Sequence, residues 1–198
     1  MHVPGYRARD GVPIVIFTQT ALPGVVVVEP EPHVDKRGMF ARTYCAVEFR
    51  ANGLDARVSQ CNTAQNRRAG TLRGLHYQRQ PYGEVKLVRC TMGAIFDVVV
   101  DLRSASPTYC QWIGVELTAE NRRALYIPED CAHGFMTLVD GSEVFYQISQ
   151  PYAAEAGAGV RWDDPAFGVR WPMRPVVIAD RDASYPDYQP RPAGGRSS

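Results

Sequence analysis

Apolar and polar positions alternate with a period of two through most of the chain, in short runs. "PGVVVVEP" (23–30) is a β-branched stretch bounded by proline, which predicts a strand. From residue 71 onward, "TLRGLHYQ", "EVKLVRC", "AIFDVVVDL", "QWIGVEL", "ALYIP", "GFMTLV" and "EVFYQIS" succeed one another as strand candidates. Turn chemistry separates them: "MG" (92–93), "SASP" (104–107) and "DG" (140–141), the last predicting a type I′ hairpin before Ser142. Only "YCAVEFRANG" (44–53) carries helical spacing, stopped by Gly53 at a C′ position. Short strands at these intervals with few short helices predict an all-β fold, an antiparallel sandwich or jelly-roll barrel.

Composition narrows the setting. The 198 residues suit one domain, expected over 1–188 with an N-terminal extension, and the Pro/Gly/Ser-rich end predicts a disordered tail over 189–198. A net charge of +1 gives no electrostatic reason for binding nucleic acid or a membrane surface. No stretch approaches the roughly 18 apolar residues of a membrane span, and the N-terminus lacks the apolar core of a signal peptide. Five cysteines without a C-x-x-C pair suggest neither a disulfide framework nor a zinc ribbon, and a reducing cytoplasm is the simplest location. Of the 22 basic residues only Lys36 and Lys86 are lysines, so a lysine inside an apolar strand stands out.

Lys86 is that lysine. It lies between Val85 and Leu87 and shares a strand face with Val88 and Cys90, which aims its ammonium inward, where it needs a partner or a role. Tyr146 alternates with Val144 and Ile148, while Glu143 and Gln147 take the other face, so its phenol also points inward and must find a hydrogen bond. His76 in "GTLRGLHYQ" reads alone as a hydrogen-bonded core histidine, and His133 in "PEDCAHGF" as ligand-binding or structural. Asp163 and Asp164 before Pro165 read locally as a turn. Jelly-roll metal sites use two histidines one residue apart plus a later histidine, but here "HYQ" lacks the second, so a metal-free barrel is expected. No G-x-G-x-x-G fingerprint points to a redox cofactor.

The ordered blocks "DKRGMF" (35–40), "GTLRGLHYQ" (70–78), "KLVRC" (86–90), "GAIFDVVVDLR" (93–103), "QWIGVELTAENRRALYIPEDCAHGF" (111–135) and "VRWDDPAFGVRWP" (160–172) resemble the dTDP-4-dehydrorhamnose 3,5-epimerase family. The resemblance covers about residues 21–188. It implies a cupin-like jelly roll, needing no metal or cofactor, usually homodimeric, acting on a 4-keto-6-deoxyhexose linked to a nucleoside diphosphate, dTDP in the type case. It also implies roles. His76 is the general base with Asp164 as its partner, Tyr146 the acid on the opposite face of the sugar, and Lys86 the cation at the keto oxygen. Arg73 and Arg37 match diphosphate ligands, Gln60 and Asn62 the nucleotide segment, and Phe40 and His133 further substrate contacts. Where many members read Gln-Asp-Asn-His-Ser this chain reads "QCNTA" (60–64), so Cys61 and Thr63 depart from the pattern and leave the base open.

The chemistry fits such roles. A C4 ketone acidifies the C3 and C5 hydrogens only where enolate charge is stabilised, which a buried ammonium does in low dielectric. A neutral imidazole takes the proton, a carboxylate fixes its tautomer, and inversion requires a proton from the other face. The alternatives are inversion at C3 alone, a 3,4-ketoisomerase, and a sugar-nucleotide binding protein without catalysis. Arg73 and His76 are three apart and should face opposite sides of a regular strand, so either Arg73 reaches the site from a strand end or across a dimer, or the strand is irregular; an irregularity is predicted at Gly74.

Overall fold

In the computed structural model, residues 14–190 are described; the first 13 residues and the tail from residue 191 lie outside them, and with them most of the two expected terminal segments. The strands in chain order are β1 (Val15–Gln19), β2 (Val26–Pro30), β3 (Pro32–Asp35), β4 (Gly38–Ala41), β5 (Gln60–Asn66), β6 (Thr71–Gln78), β7 (Lys86–Met92), β8 (Ala94–Asp101), β9 (Trp112–Thr118), β10 (Ala124–Ile127), β11 (Cys131–Thr137), β12 (Ser142–Ile148), β13 (Gly157–Gly159) and β14 (Val177–Ile178). Two short helices, α1 (Ala46–Ala51) and α2 (Asp180–Ala183), complete the set, and neither is long and apolar enough to cross a membrane.

The strands form two layers. One sheet runs β1-β2-β10-β7-β12-β5, the other β13-β6-β11-β8-β9 with β14 added in parallel to β6, and β3 and β4 pair only with each other. Successive strands shuttle between the layers, β6 to β7 and β11 to β12, which gives the jelly roll its crossed connectivity. The inner faces meet in a core that includes Val88, Leu125 and Val144 from the first sheet and Ile95, Leu117 and Phe135 from the second. The outer face of the first sheet is covered by α1 through Phe49. The outer face of the second is covered by the chain after β13, through Val160 and Phe167.

The strand runs from residue 71 onward fold as their alternation predicts, and α1 stops at Gly53, which takes φ +72° and donates to Arg50 O. The predicted type I′ hairpin at "DG" is corrected. Gly141 has φ +70° but Asp140 is not left-handed, because β11 and β12 lie in different sheets and the connection must cross between layers. Strand β5 is absent from the sequence reading: its run, "QCNTAQN", is polar, as an edge strand packed on one face can be.

The predicted break at Gly74 is present. Pairing of β11 with β6 matches His133 to His76 but Phe135 to Arg73, a register shift of one residue. Gly74 has φ +127°, and a Cβ there would come within 2.5 Å of Gly134 Cα; one on Gly134 would come within 2.6 Å of Arg73 O. Two bare backbones cross at this point, and the shift lets both Arg73 and His76 reach the space between the sheets.

Candidate active site

A cavity of about 580 Å³ opens between the sheets, a volume within the range of small-molecule sites. The second sheet contributes Arg73, His76, His133 and Phe135 to its walls; the first contributes Gln60, Asn62, Lys86, Tyr146 and Ile148. The segment from β14 through α2 borders it with Val177, Arg181 and Asp182.

His76 Nε2 lies 2.7 Å from Asp182 Oδ1, and Asp182 Oδ2 accepts the Gly74 N–H at 3.1 Å. A carboxylate here makes Nε2 the protonated nitrogen and leaves the Nδ1 lone pair free. Burial by itself raises the Asp182 carboxyl, but the hydrogen bonds from His76 and Gly74 outweigh it and hold the group below the usual carboxylate range. The bulge thus frees an N–H for the acid as well as aiming the imidazole.

Asp164, expected as the partner of His76, is a correction: it binds backbone N–H groups, and the imidazole meets Asp182 instead. It is 1% exposed, and its oxygens accept backbone N–H groups of Ala166 at 2.9 Å and Tyr188 at 2.6 Å. An Asp two residues before an accessible N–H closes an Asx turn readily, so the local reading of "WDDP" holds. Asp182 is the residue that sequence reasoning missed.

Lys86 is 8% exposed, donates to His76 O at 3.1 Å, and is paired with Glu84 Oε1 at 3.0 Å. Glu84 borders the cavity too and supplies the counter-charge that a buried ammonium requires. Tyr146 projects from β12 toward His133, with ring centroids 6.2 Å apart. Burial and then the Asp97 carboxylate push its phenol far above the usual range, against a smaller opposing effect of Arg73. His133 Nε2 meets Asp97 Oδ1 at 2.7 Å, while the other oxygen of Asp97 is buried without a partner. Among the described residues no three His, Cys, Asp or Glu side chains group as a metal ion would need.

Arg73 donates through Nε to Asn66 Oδ1 at 2.8 Å, which steers its guanidinium along the cavity wall. In β5, Gln60 and Asn62 face the same way as Ile148 and Tyr146, to which they are paired, whereas Cys61 and Thr63 fall beside Gln147 and Phe145. Thr63 borders the cavity and Cys61 does not, so Gln60 and Asn62 keep their orientation despite both departures. Arg37 and Phe40 are not brought to this cavity. They lie on the β3–β4 hairpin, Phe40 68% exposed and Arg37 paired with Asp35 at the surface.

The sequence profile of the dTDP-4-dehydrorhamnose 3,5-epimerase family matches residues 19–189. A dTDP-4-dehydrorhamnose 3,5-epimerase of Sinorhizobium fredii is 42% identical over 171 residues, which are 86% of this chain and 88% of that one. The crystal structure of the Bacillus anthracis enzyme of that name, with TDP and PPi bound, superposes with a TM-score of 0.84 at 37% identity, covering 89% of this chain and all of that one. ChmJ, a 3′-monoepimerase of Streptomyces bikiniensis in complex with dTDP-quinovose, superposes with a TM-score of 0.79 at 35% identity and 86% coverage of each chain.

Proposed function

Because this chain belongs to the dTDP-4-dehydrorhamnose 3,5-epimerase family, we propose that it inverts C3 and C5 of a dTDP-linked 4-keto-6-deoxyhexose. The observation that carries the reading is the convergence of His76, Lys86 and Tyr146 on one cavity from two facing sheets.

His76 takes the proton through Nδ1, with Asp182 holding its Nε2–H and favouring the imidazolium that forms. The charge that develops on the C4 oxygen is met by Lys86 in a partly dry site. Tyr146, on the opposite sheet, returns a proton to the other face of the carbon. His133, held by Asp97 and edge-on to Tyr146, supports the phenol and lines the sugar end. Arg73 binds the diphosphate, and Gln60 and Asn62 contact the nucleoside. The nucleotide assignment draws on the TDP and dTDP sugar held by the two structural relatives.

The active form in this reading is a homodimer. Val34 and Phe40 are 70% and 68% exposed on a hairpin that, among the described residues, pairs with no other strand, and no described strand pairs with the outer edge of β5 beside the cavity. A second copy would cover both and bring Arg37 and Phe40 to a cavity. Likeness to a 3′-monoepimerase favours a second reading, inversion at C3 alone.

Incubation with dTDP-4-keto-6-deoxyglucose in D₂O decides between them: deuterium at C3 and C5 is expected, deuterium at C3 alone selects the second reading, and none at either carbon refutes both. His76→Ala should lower the exchange rate by about 10²- to 10⁴-fold with little change in binding.

A further inference from the structure

We propose that Arg161 and Asp164 are positioning residues that hold the Asp182 carboxylate against His76; the inference rests on the reading of His76 as the base. Helix α2, which carries Asp182, is a single turn without a side-chain cap, and a turn of that length does not hold itself. On its N-terminal side it is anchored where β14 pairs with β6. On its C-terminal side Arg161 and Asp164 hold the backbone of residues 185–188, beside the packing of the Tyr188 ring on Phe167 and its hydrogen bond with Tyr109.

Arg161 follows Val160, whose N–H and C=O both pair with Leu75, the residue before His76. Its backbone is therefore fixed to the strand that carries the base. Its guanidinium reaches forward, donating to Tyr185 O at 3.3 Å and pairing with Asp187 at 2.7 Å, while Nε is steadied by Asp163. Asp164 accepts the Tyr188 N–H, which fixes the chain six residues past Asp182. Between these anchors Tyr185 stands edge-on to His76, its ring over Gly159, where a Cβ would come within 2.4 Å of it. The base and its acid are thus joined by a crossbar, and a shift at residues 185–188 is passed over three residues to Asp182. A hydrogen bond of 2.7 Å leaves little room for such a shift.

The ion pairs of Arg161, itself 24% exposed, open to solvent through Asp163 and Asp187, 48% and 57% exposed, so they contribute little to global stability. That separates a positioning role from a structural one. In the full-length protein, with the exchange assay above, Arg161→Gln and Asp164→Asn should each lower kcat by about tenfold or more while KM moves by no more than about threefold. Arg161→Gln should leave the melting midpoint within about 2 °C, and Arg161→Lys should recover part of the rate. The imidazole ¹⁵N–¹H signal of His76 Nε2 should broaden or vanish in Arg161→Gln. In an Asp182→Asn background, Arg161→Gln should cost less than about twofold further, because the residue acts through Asp182.

Wild-type kcat in Arg161→Gln, or its full cost retained in the Asp182→Asn background, overturns the proposal. Wild-type kcat in Asp182→Asn itself instead removes the pairing of base and acid, and the proposal with it. Where Asp164→Asn does not fold, Arg161→Gln decides alone.

Discussion

Burial and the Asp97 carboxylate both raise the Tyr146 phenol, so it keeps its proton wherever the enzyme can work. The sign of the pH effect follows: an ionised phenol cannot donate, and ionisation is displaced upward, so the exchange rate should show no alkaline loss from Tyr146 below about pH 10, the ordinary tyrosine value. A rate profile in D₂O buffers checks this, and an alkaline limb near pH 8 that disappears in Tyr146→Phe would refute it. At this scale Lys86 and Tyr146 were legible because each interrupts an apolar strand face, and a polar group there must be satisfied. His76 gained meaning only from such neighbours. Asp182 was not legible: it lies 106 residues from His76 in a segment without periodicity, beside Asp180 and near Asp163, Asp164 and Asp187, any of which local chemistry would have served as well. Glu84, the counter-charge of Lys86, was missed although it opens the run "EVKLVRC" two residues before Lys86, a spacing that puts the two on one face of a strand.

Strand β6 depends on a crossing of two glycines. A methyl group on Gly134 would stand 2.6 Å from Arg73 O, against backbone that cannot turn aside, so Gly134→Ala is expected to cost about 1–3 kcal/mol and to disturb the approach of His76 to Asp182. Urea unfolding gives the first quantity and exchange at C5 the second. Gly141, with open space around it, should tolerate alanine better, at a cost set only by its positive φ. The irregularity at Gly74 was readable from parity once the family resemblance put Arg73 and His76 at one site, since the two cannot share a face of a regular strand. Its partner in β11 was not, because the close approach is made by backbone from a strand about 60 residues away. The same limit applies to "DG": its turn preference is local, but the sheet to which each flanking strand belongs is not.

For the whole molecule, alternation was enough to read an all-β sandwich or jelly-roll barrel, because a buried sandwich imposes its period on every strand that has one wet and one dry face, and the family resemblance narrowed that to the jelly roll. It was not enough for β3, β4 and β5, which are exposed along most of their length and so carry little of that period. These are also the strands expected to meet a second copy. Phe40→Asp should shift the mass measured by light scattering from dimer toward monomer and weaken substrate binding; an unchanged dimer would show that the hairpin is not at the interface. The groups proposed to react are divided between the layers, with the His76 imidazole on one sheet and the Tyr146 phenol and Lys86 ammonium on the other. Phe135, Val144 and Leu125 pack between the layers and so help to set how far apart His76 and Tyr146 stand. The core is then a gauge block as well as a glue. In the proposed reading, substitutions that thin or swell it, far from any sugar, should alter the ratio of product hands before they unfold the chain, which would make stereochemical fidelity a property of packing.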